Sequence, residues 1–222
     1  MSRACSTGTS QALAGPPADA VGIKRGANGL DVFFGANLML FVMMCAVTYY
    51  DRWAHFAGRS RPALAEFLFY ALVLTLAITG LWVWLRRYTL PGWLLLVIEA
   101  GILAHFAGGL AQLDGTRLYD HVYLGIRYDK YVHVANAFIA ALAVQEICRV
   151  KGQPLTGFTR LLVFFTVLGL GSIVEICEFA ATLAIPRNGV GGYADTLGDL
   201  IANVCGGALF LAMPARLPLR PR

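Results

Sequence analysis

Residues 161–184 read LLVFFTVLGLGSIVEICEFAATLA, an apolar run whose charged residues are Glu175 and Glu178. As a helix, about 24 residues cover roughly 36 Å at about 1.5 Å per residue. That is enough for a hydrocarbon core of roughly 30 Å. Two glutamates in such a run are costly in lipid and need a polar interior to face. The segment predicts a membrane helix with one acid-bearing side.

Five more apolar stretches flank it, near 32–50, 65–85, 91–111, 131–148 and 197–215. The breaks between them are physical. Arg59-Ser60-Arg61-Pro62 ends the first loop, and Arg86-Arg87 precedes Pro91, a residue suited to a helix start. Lys151-Gly152-Gln153-Pro154 and Pro186-Arg187-Asn188-Gly189 separate the last three spans. Trp82, Trp84 and Trp93 flank the second loop, as interfacial aromatics do. The predicted fold is all-α, a polytopic integral membrane protein of about six transmembrane helices. The predicted organisation is a mobile cytoplasmic tail over 1–31, a single six-span domain over 32–215 and a basic cytoplasmic tail over 216–222. The first tail carries no signal-peptide core.

Composition agrees. Hydrophobic types make up 58% and charged types 14% of the chain, against about a quarter charged in soluble domains. Disorder needs the opposite balance. A soluble globule could not cover so much apolar surface. The net charge of +5 does not point to nucleic acid, because no basic stripe accompanies a soluble fold. With six spans, Arg52, Arg59, Arg61, Arg117, Arg127, Lys130 and Arg187 lie on one side, and the other 11 of the 18 Lys and Arg share the side of both termini. The positive-inside rule then places both termini in the cytoplasm. Cys5, Cys45, Cys148, Cys177 and Cys205 show no metal-type spacing and read as small core residues.

The polar residues inside the spans are patterned. Tyr128-Asp129-Lys130-Tyr131-Val132-His133 opens the fourth span, and Asp129 and His133 share a helix face with Asn136 next along it. Gly171, Glu175, Glu178 and Thr182 form a stripe on the fifth. Asp195, Asp199 and Asn203 recur on one face of the sixth, with Gly207 beyond. Alternating span directions put all three stripes, and His105 of the third span, in the outer half of the membrane. Glu99 lies roughly 9 Å deeper than His105. One polar pocket opening outward is expected.

Carboxylates with a histidine suit a divalent cation, and the candidate ligands are His133, Glu175, Glu178 and Asp199. The same set suits general acid–base chemistry, with Asp129, His133, Glu175, Glu178, Asp195, Asp199 and Asn203 as its members, or a proton relay. Lys130 can meet a phosphate headgroup as a point charge. The common hydrolase and nucleotide motifs are absent. Plainer readings exist. Asp129 and Asp195 can be N-caps, Lys130 can snorkel, and His105 can be a packing residue. Glu66 and Glu146 read as interfacial, Asn136 and Gln145 as interhelical glue, and Gly206 and Gly207 as close-packing positions. Neither capping nor snorkelling explains Glu175, Glu178, Asp199 and His133.

Tyr128-Asp129-Lys130-x-x-His133, Glu175-x-x-Glu178 and Asp195-Thr196-x-x-Asp199 in consecutive helices resemble the YjdF family of bacterial inner-membrane proteins. That family is similar to the wider VanZ-like group, whose Asp-x-x-x-Asn and small Gly pair are matched by Asp199, Asn203, Gly206 and Gly207. The resemblance covers roughly residues 95–212. It departs at Gly192-Tyr193, where the family often has Gly-Asp, and at Gly198, where it often has Trp. It implies a bacterial inner-membrane location, a fold and a site rather than a reaction.

The expected function is to bind or process a lipid or envelope-related ligand bearing phosphate, with a divalent metal compatible and a membrane lipid as partner. Homo-oligomers are compatible with the sequence too. The alternatives are a proton- or cation-coupled transporter and a non-catalytic binding or assembly protein. The lack of broken helix pairs in matching halves weighs against the transporter.

Overall fold

A computed structural model describes residues 29–51, 62–86, 88, 90–184 and 191–214. Six helices appear among them: α1 (Gly29–Asp51), α2 (Pro62–Leu85), α3 (Gly92–Leu110), α4 (Tyr128–Val150), α5 (Gly157–Ala184) and α6 (Tyr193–Ala212). Each lies over one of the expected spans. Five are long and apolar enough to cross a membrane, and α2 carries a shorter apolar stretch over Ala71–Leu85. The fold is an all-α polytopic membrane protein. Residues 1–28 and 215–222, which cover most of the two predicted tails, lie outside the described residues, as do Cys5, Arg59-Ser60-Arg61, the 185–190 segment and the Glu66 side chain.

The helices follow from residue content. Runs of Leu, Ala, Ile and Phe supply helix-forming or apolar side chains, and backbone groups in lipid must pair within the segment. Breaks fall where the chain demands them. Gly152, at φ +72, turns the chain after α4, a conformation L side chains resist.

Helix α4 packs chiefly against α6 and also touches α3 and α5, while α5 lies against α6. Helix α1 packs on α2 and α3. The α4–α6 contact depends on Gly206, where an added Cβ would run into the Val134 carbonyl and lie 2.8 Å from the Ala137 Cβ. Phe41 of α1 and Phe106 of α3 meet with ring centroids 4.7 Å apart and are both buried.

Polarity is inverted relative to a soluble protein. Asn37, Asp129, Glu146, Glu175, Asp199 and Asn203 are buried, while Val32, Leu76, Leu96, Phe158 and Leu183 face outward. Such an apolar exterior is at home only in lipid. Cys177 and Cys205 also face outward, which corrects their reading as core residues. They lie on helix faces turned away from the bundle.

Both ends of the bundle are identifiable. At one, the Trp82 Nε1 donates to Asp31 at 2.8 Å, Arg86 lies 3.7 Å from the same carboxylate, and the Lys151 ammonium sits over the Tyr88 ring. Arg160, early in α5, donates to the Phe210 carbonyl late in α6 at that same end. At the other end, residues 112–127 form two small hairpins instead of a plain loop. β1 (Gln112–Leu113) pairs with β2 (Thr116–Arg117), and β3 (Val122–Tyr123) with β4 (Ile126–Arg127). A 3-10 turn, Leu118–Asp120, joins them.

Candidate functional site

The second hairpin feeds directly into α4, so Arg127 and the first turn of α4 arrive at the start of α6. The Lys130 ammonium donates to Asp129 at 2.9 Å, to the Asp195 carboxylate at 2.6 Å and to Asp199 at 2.7 Å. It also reaches the Asp195 carbonyl at 3.1 Å. Arg127 bridges Asp195 at 2.6 Å and Asp120 at 2.7 Å. Burial works against the Arg127 charge, but Asp195, Asp129 and Asp120 more than offset this and hold its pKa above the usual guanidinium value.

Asp129 and Asp195 are therefore not caps. Neither α4 nor α6 has a side-chain cap bond at its start, and the flanking residues are Arg127 and Gly192. Both carboxylates are drawn to Lys130 instead. Nor does Lys130 snorkel, since its side chain is only 17% exposed.

His133 lies one turn deeper. Its Nε2 is 3.3 Å from Asp199 and 3.6 Å from Asp129, and its Nδ1 is 3.8 Å from Glu175. Asp129, His133 and Asp199 each offer one ligand atom, and these atoms lie within 4.8 Å of one another. That is the separation expected of groups around one ion. Of the four ligands expected from the sequence, His133 and Asp199 belong to this set. Asp129 joins them in place of Glu175 and Glu178, because it shares the α4 face with His133. Glu175 stands on the other side of the imidazole. Glu178 is one turn along α5, within electrostatic reach of Asp199, Asp129 and Asp195.

Within the cluster, both oxygens of Glu175 and Nδ2 of Asn203 are buried with no hydrogen-bond partner among the described residues. Asn203 packs on Gly171, where an added Cβ would lie 2.6 Å from that nitrogen. A cavity of about 640 Å³ opens beside Glu175 between α5 and the start of α6.

His105 is not a lone packing residue. Its Nδ1 lies 2.6 Å from the Tyr119 hydroxyl, which also lies 3.0 Å from the His105 carbonyl. Glu99 accepts a hydrogen bond from Asn37 of α1 instead. Glu146 is buried and bound to Arg149 near the end of α4. Arg127, Asp120 and Tyr119 have site roles that the spans did not reveal. A signal was present, because QLDGTR at 112–117 and VYLGIR at 122–127 repeat the same turn pattern, and Asp-Gly between extended residues marks a hairpin.

The arrangement sets five carboxylates, Asp129, Glu175, Glu178, Asp195 and Asp199, around two fixed cations, Lys130 and Arg127, with His133 in their midst. It can hold an added cation or donor-bearing group, and it can pass a proton across the imidazole.

A family described as "Predicted membrane protein (DUF2238)" matches residues 36–219. The chain belongs to that family of membrane proteins. No curated protein and no solved structure matches it.

Proposed function

We propose that this member of a multi-pass membrane family binds a lipid or envelope-related amphiphile at the α4–α6 cluster and performs acid–base chemistry on its phosphate-linked headgroup. The observation that carries the reading is His133 held between Asp199 and Glu175 inside the bundle, at 3.3 and 3.8 Å. An ionisable group at that depth is costly unless it works. His133 is placed to accept the proton of an attacking water or hydroxyl as it bonds to phosphorus. It then returns a proton to the leaving alcohol oxygen as the old ester bond breaks. Asp129 and Asp199 orient the ring.

The acid excess repels a bare phosphate. A divalent cation held by Asp129, His133 and Asp199 would offset that repulsion, and oxygen and imidazole donors suit it. The same reading extends the family resemblance to the YjdF and VanZ-like groups, to a bacterial inner membrane and to cytoplasmic termini.

The test is reconstitution of the purified chain in vesicles of phosphatidylethanolamine and phosphatidylglycerol, with headgroups followed by mass spectrometry. Wild-type protein is expected to change the headgroup composition. Asp199→Asn and His133→Ala are expected to slow that change at least about 100-fold, the usual loss for an acid–base group, while still inserting. Unchanged lipids with the wild type, or full activity in both variants, would overturn the reading. Metal content measured in parallel, on protein purified without chelator, should show a near-stoichiometric divalent ion that Asp199→Asn loses.

A second reading has its own observation. Glu175, His133 and Asp199 form a continuous ionisable series, as a proton path in a coupled transporter requires. Solute flux driven by a pH gradient, without headgroup change, would favour it.

A further inference from the structure

The proposed function leaves two features unexplained: the missing hydrogen bonds of the Glu175 oxygens and the cavity beside them. We propose that this cavity seats a membrane lipid whose headgroup carries hydrogen-bond donors, amino or hydroxyl, with Glu175 as their acceptor. The proposal deepens the reading above and rests on its premise that the site takes an amphiphile.

Burial comes first. Glu175 is 3% exposed, and neither oxygen accepts a hydrogen bond from a described residue. The His133 imidazole lies 3.8 Å away, beyond hydrogen-bonding range. A buried carboxylate in that condition is costly, and buried polar groups are almost always satisfied. A ligand donor would supply what the fold does not.

The chemistry of the α5 wall sets the ligand's polarity. Ser172 Oγ donates its hydrogen to the Leu168 carbonyl at 2.9 Å, and Thr182 Oγ1 donates to Phe179 at 2.7 Å. Both hydroxyls line the cavity with Glu175. Their protons are spent, so toward the cavity they offer lone pairs only. The α5 wall therefore presents acceptors, while Tyr193 and Thr196 bring hydroxyls to the cavity from α6. The Glu178 and Asp199 carboxyl groups stand nearby. At the α5 wall an anionic oxygen would meet only acceptors, whereas an ammonium or hydroxyl is held.

The remaining walls set the ligand's body. Ile176 and Phe179 line the cavity and are 65% and 59% exposed on the helix surface that faces lipid. Leu200 lines it from α6. A volume of about 640 Å³ falls within the roughly 300–1,000 Å³ of small-molecule sites. It takes a headgroup with the first part of its chains, the rest lying in the bilayer along Ile176.

The test uses the full chain in detergent and native mass spectrometry. The probes are dioleoyl phosphatidylethanolamine, phosphatidylglycerol and phosphatidylcholine, with free phosphoethanolamine as the chainless arm. The first two carry headgroup donors and phosphatidylcholine has none. Wild-type protein is expected to retain them about tenfold more tightly than phosphatidylcholine, the scale of one hydrogen bond to a charged group. Glu175→Gln should abolish the preference for the amine lipid. Ile176→Trp should fill the cavity and weaken all three lipids.

Equal retention of phosphatidylcholine by the wild type overturns the proposal without any variant. Free phosphoethanolamine binding as tightly as the lipid would show that the apolar walls play no part and overturn the lipid assignment. Donor-selective retention with no headgroup conversion would leave this inference standing and sink the chemistry proposed above. Conversion without donor preference would do the reverse.

Discussion

The Lys130 ammonium sits among three aspartates at 2.6–2.9 Å, with its side chain 17% exposed. Removing it tests what holds α4 to α6 at the site. Lys130→Met is expected to destabilise the folded protein by about 3–5 kcal/mol, because Asp129, Asp195 and Asp199 lose their shared counter-charge inside the bundle. Thermal unfolding in detergent reads this directly, and an unchanged midpoint would assign Lys130 to ligand binding alone. The sequence supports part of this picture. Asp129 and His133 sit four apart, and that spacing alone puts them on one helix face. The role of Lys130 was not legible, since its partners Asp195 and Asp199 are more than sixty residues away and reach it only through helix packing. For the same reason spacing could not show that Asp129, rather than either glutamate, clusters within 4.8 Å of His133 and Asp199. A stripe tells which residues share a face, and only the rotation of neighbouring helices tells which stripes touch.

The hairpins carry the next scale. Both turns place two residues at positive φ: Asp114 at 50° and Gly115 at 80°, then Leu124 at 53° and Gly125 at 81°. Asp-Gly is the residue pair such turns favour, and Leu-Gly is not. A leucine in this conformation costs roughly 1–2 kcal/mol. Leu124 is also 97% exposed, so no protein contact offsets the cost. Leu124→Asn should therefore stabilise the second hairpin by about 1 kcal/mol, which slows exchange of its amide hydrogens roughly fivefold. Exchange as fast as in the wild type would overturn the strain argument. The helices on either side were legible because apolar length decides a membrane span. The hairpins were passed over because a two-residue strand has too few side chains to show alternation, and only the repeated turn residues mark it. That omission hid Arg127 and Asp120, which depend on the hairpin to reach Asp195.

At the scale of the molecule, the inverted polarity follows from composition, and the arrangement of ends follows from helix order. Asp31, Arg86, Lys151 and Phe210 mark one end of the bundle through their contacts, and the hairpins and acid cluster mark the other. The first group includes the start of α1 and the end of α6, so both described chain ends lie together, opposite the site. Which end faces the cytoplasm is a separate matter of charge. A six-span reading assigns 11 of the 18 Lys and Arg to the side of the termini, and positive charge is retained on the cytoplasmic face. The expected topology therefore directs the acid cluster outward, where a lipid of the outer leaflet can enter between α5 and α6. A membrane-impermeant maleimide checks this in intact cells. A cysteine placed by Leu124→Cys should label without permeabilisation. The native Cys5 should label only after it, while Cys177 and Cys205, on lipid-facing helix surfaces, stay unlabelled in both. The reverse order of labelling would turn the molecule over and place the site, with its lipid, on the cytoplasmic leaflet.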